Sequence, residues 1–260
     1  MDYLSAIILG LVQGLTEFLP VSSSGHLVLS QHLLGFQGPN VAFDLLLHLA
    51  TTLAVIIYFR AELANILLSI FGKSPEKDGR RWLVMMVLAS IPTAMIGFVF
   101  QEQVEALFGA PRTVACMLWV TAGLLYLSDR VKVRENAGGR IKAYQAVIVG
   151  ITQGIAIIPG ISRSGSTIAA GIFSGLNRGT AARFSFLISI PAILGASLLE
   201  AKDISGINAA DLLPYCVGVA MAFISGYLSI DFLLRILVRR RLWSFSIYLF
   251  IIGLMGIILT

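Results

Sequence analysis

Six apolar stretches, at 41–59, 83–100, 113–129, 184–200, 212–233 and 242–260, each approach the roughly 20 residues that a helix needs to cross a bilayer. Pro92, Pro191 and Pro214 lie in or at the ends of three of them. Membrane helices tolerate this because neighbouring groups take up the freed backbone partners. With 57% hydrophobic and 13% charged residues in a chain of 260, against about 25% charged in a soluble domain, the chain cannot bury its apolar surface within itself. The bilayer is part of its solvent. The net charge of +5 does not call for a nucleic-acid partner, because the basic residues sit in short runs between apolar stretches, as the positive-inside rule arranges them.

Cys116 and Cys216 each lie in an apolar stretch with no CxxC partner and no nearby His. They read as small buried hydrophobes rather than a disulfide or half a metal site. The N-terminus has no basic n-region, and its apolar run is interrupted by Gly10, Gln13 and Gly14. That makes a poor signal peptide, so the first segment is expected to stay in the mature protein.

Two further apolar regions, 3–35 and 143–177, are broken in the middle, at Pro20-Val21-Ser22-Ser23-Ser24-Gly25 and at Pro159-Gly160-Ile161-Ser162-Arg163-Ser164-Gly165. Their arms, about 10–16 residues each, have the length of re-entrant or half-membrane helices. Pro and Gly stop the first arm, and Ser can cap the second. The two regions are copies. A shift of 140 lays Gly10, Gln13, Gly14, Ser22, Ser24 and Gly25 over Gly150, Gln153, Gly154, Ser162, Ser164 and Gly165. Each copy is followed by three spanning segments, an odd number, so the second copy enters the membrane upside down relative to the first. The expected fold is an all-α polytopic membrane protein, a single membrane domain over 1–260. Its inverted-topology repeats, 1–135 and 140–260, are each a re-entrant helical hairpin plus three transmembrane helices.

If both broken regions return to the side they enter from, one face collects Arg60, Lys73, Lys77, Arg80, Arg81, Arg130, Lys132, Arg134, Arg140, Lys142, Arg178, Arg183, Arg235, Arg239, Arg240 and Arg241. The other face receives only Arg112 and Lys202. The crowded face is then cytoplasmic and both termini lie outside.

Ionisable groups at membrane depth cost about 2.5–3.5 kcal/mol each on insertion scales, so each invites a functional role. Glu17, His26 and Arg163 are the candidates. Positions that the copies share suit the making of a hairpin; positions where they differ suit chemistry. Glu17 lies over Ile157, Ser23 over Arg163 and His26 over Ser166. Each break opens a new helix, whose free N–H groups and positive dipole end favour an anion. Ser22, Ser24, Ser162, Ser164, Ser166 and Thr167 add hydroxyl donors, Gly25 and Gly165 let backbone approach, and Arg163 supplies a planar charged fork suited to phosphate. Gln13 and Glu17, spaced i, i+4, share a helix face that could hold a divalent cation, with substrate phosphate completing the shell. Asp44 and His48, also i, i+4, read as a structural pair facing the bundle, and His32 as interfacial.

The runs Gln13-Gly14-Leu15-Thr16-Glu17-Phe18-Leu19-Pro20-Val21-Ser22-Ser23-Ser24-Gly25-His26 and Pro159-Gly160-Ile161-Ser162-Arg163-Ser164-Gly165 resemble the two signatures of the undecaprenyl-diphosphate phosphatase family, BacA or UppP type. Phe43-Asp44 and Arg183-Phe184-Ser185-Phe186-Leu187 extend the likeness along nearly the whole chain. The first signature commonly opens with Glu or Gln. Gln13 stands there in this chain, which leaves Glu17 as the principal acid.

The resemblance implies hydrolysis of undecaprenyl diphosphate to the monophosphate carrier lipid for bacterial cell-wall synthesis. It also implies a divalent cation such as Mg²⁺ or Ca²⁺, a location in the bacterial inner membrane with the site opening to the periplasm, and bacitracin resistance on overproduction. On this reading Arg163 and the hairpin N–H groups neutralise phosphoryl charge and Glu17 holds the cation. His26 acts as base or nucleophile, and Ser23 is the alternative nucleophile. The oligomeric state is open, a homodimer being one option.

A polyprenyl-phosphate transporter or flippase could use the same architecture. The acid-phosphatase-like lipid phosphatases are excluded. Ser24-Gly25-His26 fits their first motif, but Ala169 stands where the second requires His, and no histidine follows His48.

Overall fold

The computed structural model describes residues 1–36, 40–73, 78–132, 140–199, 208–238 and 242–260. Of the basic residues that set the expected topology, Lys77, Arg134, Lys202, Arg239, Arg240 and Arg241 lie outside the described residues. The described elements are helices throughout. The first break separates α1 (Tyr3–Phe18) from α2 (Ser23–Leu33). Then come α3 (Val41–Tyr58), α4 (Arg60–Ile70), α5 (Gly79–Val99), α6 (Gln101–Phe108) and α7 (Pro111–Arg130). The second break separates α8 (Ala143–Ile155) from α9 (Arg163–Phe173), and α10 (Arg178–Leu199), α11 (Leu212–Val238) and α12 (Leu242–Leu259) complete the chain.

Each of the six expected spans is a helix. Five pass on length and hydropathy alone, and α7 passes together with α6, to which it is joined at a sharp bend. Pro92 and Pro191 sit inside unbroken helices, α5 and α10. Around them neighbouring polar groups take up backbone carbonyls: Thr93 Oγ1 donates to Ala89 O and Gly150 O, and Gln153 Nε2 to Ile188 O. The apolar pattern predicts no element at α4 or α6. α4, 11 residues long, is too short to span and exposes Leu67, Leu68 and Ile70 at the end of α3. Cys116 and Cys216 are free but exposed, which corrects their reading as buried residues. On an outward helix face in a bilayer, lipid rather than protein covers an apolar side chain.

Packing exchanges the copies. α1 lies along α11, the second spanning helix after the second hairpin, and α8 lies along α5, the second spanning helix after the first. α3 meets α11 as α10 meets α5, and α7 pairs with α12. Glycine permits these approaches. A Cβ on Gly10 would sit 2.3 Å from Gly218 O, and one on Gly150 would sit 2.1 Å from Ala89 O. Without a hydrophobic force between helices in lipid, such close backbone packing supplies much of their association.

Both hairpins return to the end from which they start. The Met1 amine meets Asp211, and Asn40 Nδ2 donates to Tyr215 Oη at 2.9 Å, so the chain enters α1 and leaves α2 beside the same end of α11. The second hairpin is closed at its base by Gln145 Nε2 donating to Ser174 O at 2.8 Å. At that end Arg81 donates to Ile141 O at 2.8 and 3.0 Å, and Arg178 pairs with Asp129 at 2.9 Å, buried.

Gly10→Ala and Gly150→Ala should each lower stability by about 1–3 kcal/mol, because a backbone carbonyl cannot swing aside as a side chain can. Gly97→Ala, with open space around its Cβ position, should not. Thermal unfolding in detergent checks this, and equal melting temperatures for all three would contradict the packing.

Candidate functional site

Pro20 stops the helix before it, and Leu19, the residue before the proline, is extended at ψ 145°. Val21 N–H closes a tight turn onto Leu19 O at 2.7 Å, and Ser22 then adopts φ +68°. For a non-glycine residue that conformation stores about 1–3 kcal/mol and is held only by its surroundings. Ser22 Oγ caps α2 by accepting from Gly25 N–H at 3.2 Å. The second break reaches the same end with Gly160 at φ +94° and Ser162 Oγ accepting from Gly165 N–H at 3.1 Å. The tips touch reciprocally: a Cβ on Gly25 would meet Gly160 Cα at 3.3 Å, and one on Gly165 would meet Pro20 Cβ at 3.1 Å.

Ser23 and Arg163, the aligned but unlike pair, are therefore the first residues of α2 and α9. Both converge on Glu17, whose side chain is almost fully buried. Arg163 Nη2 donates to Glu17 Oε1. Ser23 Oγ donates to Oε2 at 2.6 Å, and Gln13 Nε2 donates to the same oxygen at 3.0 Å. His48 Nδ1 lies 3.4 Å from Oε2 and 2.9 Å from Gln13 Nε2, and Thr51 Oγ1 lies 3.5 Å from that nitrogen. Two buried polar atoms here have no partner, Arg163 Nη1 and Gln13 Oε1. One is a donor suited to an anion, the other an acceptor suited to a cation.

The remaining candidate residues have other bonds. His26 Nδ1 is 2.8 Å from Ser22 O, its Nε2 is 2.8 Å from Tyr248 Oη, and the two rings lie nearly parallel at 5.6 Å. Ser24 Oγ is 3.4 Å from Ser22 Oγ. Ser164 Oγ donates to Leu19 O at 3.0 Å, tying α9 to the other tip. Thr167 Oγ1 reaches Arg163 O at 2.7 Å and Ser185 Oγ at 2.6 Å. Ser22, Ser162 and Thr167 thus spend their hydroxyls on the hairpins, while Ser23 Oγ and one guanidinium nitrogen of Arg163 are spent on the carboxylate.

Asp44 and His48, one turn apart on α3, each also bond across the bundle. His48 turns to Glu17 and Gln13, while Asp44 accepts two bonds from the buried Gln31, at 2.8 and 3.0 Å. The signal was there: Asp44, His48 and Thr51 make a polar stripe at i, i+4, i+7 on an otherwise apolar span. Among the described residues no group of three or more His, Cys, Asp or Glu side chains could hold a metal by itself.

The sequence model of one family, described as bacitracin resistance protein BacA, matches residues 6–255. The undecaprenyl-diphosphatase of Syntrophotalea carbinolica is 44% identical over 255 residues, covering 97% of each chain. Its namesake from Halothermothrix orenii is 44% identical over 263 residues, covering 100% of this chain and 99% of the relative. That from Methanobrevibacter smithii is 43% identical over 267 residues, covering 98% and 96%.

Arg163→Ala should cost about 3–5 kcal/mol by leaving the Glu17 carboxylate buried and unpaired, and adding Glu17→Gln should recover most of that loss. A double-mutant cycle of unfolding in detergent measures the coupling, and simple additivity would show the pair to be energetically idle.

Proposed function

We propose, for a chain that belongs to the bacitracin resistance protein BacA family, that it hydrolyses undecaprenyl diphosphate to undecaprenyl phosphate and inorganic phosphate, returning the carrier lipid to cell-wall synthesis. The relatives' common name supports the reaction. The observation that carries it to this chain is the convergence of Arg163 and Ser23, from opposite hairpin tips, on one buried carboxylate.

The unpartnered Arg163 Nη1 and the first N–H groups of α2 and α9 receive the oxygens of the terminal phosphate and stabilise the charge that builds up as it transfers. Ser23 Oγ attacks the terminal phosphorus and gives its proton to Glu17, with which it already shares a 2.6 Å bond. The Ser–O–P bond forms as the anhydride P–O bond breaks, and the lipid monophosphate leaves with that electron pair. Glu17 passes that proton to the departing lipid phosphate, then takes a proton from the water that cleaves the phosphoserine and returns it to Ser23 Oγ as inorganic phosphate leaves. His26, one turn along α2, can exchange a proton once its bond to Tyr248 is released.

A divalent cation, Mg²⁺ or Ca²⁺, belongs to the proposal because Gln13 Oε1 is a buried acceptor without a partner and Glu17 stands beside it. These two oxygens would hold the ion jointly with substrate phosphate, as Mg²⁺ prefers, and it would neutralise phosphate charge.

The repeats are proposed to sit inverted in the bilayer, with both termini and the mouth of the site periplasmic. Supporting this, the contacts of Met1 and Asn40 gather at one end of α11, and Arg81 and Arg178 bond at the base of the other hairpin.

Purified protein should release phosphate from undecaprenyl diphosphate, and a chelator should stop it. Arg163→Lys, which keeps the charge but loses the fork, and Ser23→Ala should each cut release by about 10²–10³-fold without loss of fold. Undiminished release by either variant would remove its assigned role, and binding without release would favour a transporter. Acid-quenched protein should carry phosphate on Ser23; phosphate on His26 would transfer the nucleophile there. For the topology, a cysteine placed at Thr260 in a cysteine-free background should react with an impermeant thiol reagent in intact cells, and one at Lys73 only after permeabilisation. The reverse pattern would invert the orientation.

A further inference from the structure

A cavity on the second hairpin lies outside the chemistry above. α7, α8 and α9 leave a groove of about 270 Å³ on the flank of the second hairpin, lined by Leu124, Ile148, Thr152, Ser166, Ala170 and Phe173 among others. That is close to the lower bound of about 300 Å³ for ligand pockets. Ile148 and Phe173 are exposed at its rim, so it opens to where the bilayer lies.

Three observations mark it as built for a ligand. Ser166, which lines it, is 2% exposed, and its hydroxyl has no partner. An unpaired hydroxyl in so dry a place is costly unless something arrives to bond it. The repeat supplies the second. Ser166 lies over His26, whose imidazole in the first copy is bonded to and stacked on Tyr248, so the second copy has only a hydroxymethyl group where the first has a ring. Register is the third. Arg163, Ser166, Ala170 and Phe173 recur at i, i+3, i+7 and i+10, one stripe of α9. Ser166, at the head of the groove, thus follows Arg163 by about one turn, roughly 5 Å along α9, and the groove runs on along a helix about 16 Å long.

We propose that this groove seats the first isoprene units of the lipid substrate, and that Ser166 Oγ donates to the phosphate nearest the chain while Arg163 holds the terminal one. The assignment rests on the phosphatase reading and deepens it. Two phosphates joined through one oxygen can reach two side chains that start one turn apart on the same helix face. Beyond Ser166 the wall is apolar apart from Thr152 and Ser174, whose hydroxyls bond within their own helices, so it suits hydrocarbon.

The test is a chain-length series of prenyl diphosphates of 5, 15 and 55 carbons. Ala170→Phe, which narrows the groove from α9, and Thr152→Phe, which narrows it from α8, should each lower kcat/KM about tenfold on the two longer substrates and far less on the shortest. An equal loss at every length, or none, in a variant that melts like the wild type overturns the groove. A non-hydrolysable farnesyl diphosphonate with a diazirine on its tail gives a readout independent of turnover. Label on the α8 segment 148–152 or the α9 segment 166–174 supports the assignment, and label confined elsewhere overturns it. If the wild type releases phosphate from none of the three lipids, the phosphatase reading fails, while the groove still stands or falls on where the label is found.

Discussion

The pairing of Arg163 with Glu17 is the constraint on which the centre of this molecule depends. Either charge alone at membrane depth would be expelled or neutralised. Together they are tolerable only if both hairpin tips hold their positions, so the pair makes two breaks, 146 residues apart in sequence, depend on each other. The breaks need such mutual support, because a helix interrupted in hydrocarbon has no water to satisfy its ends. Thr121 Oγ1 accepts from Ser162 N–H at 2.9 Å, and Ser164 donates to the carbonyl of Leu19 on the opposite tip. The second tip thus completes the first tip's backbone, and α7 completes the second's.

What lets the tips meet is the absence of side chains along the arms behind them. Gly14 lies against Ala222 O and Gly226 N, and Gly154 against Ile96. The arms can therefore approach α11 and α5 almost backbone to backbone. Phe18, next to Glu17, stacks edge-on against Phe186 at 5.7 Å, and Phe186 contacts Phe59 at 5.8 Å. This buried run of aromatic contacts fixes the orientation of the arm that carries the carboxylate. Binding and catalysis gain from such rigidity, since donors already in place need not be reorganised when charge develops.

Most of the architecture was legible because membrane segments obey a simple length rule, and because the copied Gly, Gln and Ser positions are too improbable to be compositional. The hairpins, the six spans and the meeting of Glu17 with Ser23 and Arg163 followed from that. Three features did not. α4 and α6 are too short and too mixed in polarity to register against a 20-residue window. The outward cysteines show that an apolar stretch in lipid has two apolar faces, so periodicity no longer separates inside from outside. His48 was hidden by local spacing, as its i, i+4 neighbour Asp44 offered an adequate explanation while further partners, Glu17 and Gln13, lay across the bundle. Contacts between elements far apart in sequence are what a single sequence encodes least directly.

The shared glutamines show how one residue type comes to serve two ends. Gln153 donates to Thr93 and to Ile188 O in a helix loosened by Pro191, a purely structural bond. Gln13, its copy, donates to Glu17, and both glutamines leave their carbonyl oxygens buried and without a partner. In one copy a carboxylate, Glu17, stands four residues on, and the glutamine there donates to it, because a buried anion recruits the nearest donor. The other unlike positions set Ser23 over Arg163 and His26 over Ser166. The two breaks thus build similar donor-rich frames, and the few unlike positions within them bring a carboxylate and a hydroxyl from one half against a guanidinium from the other.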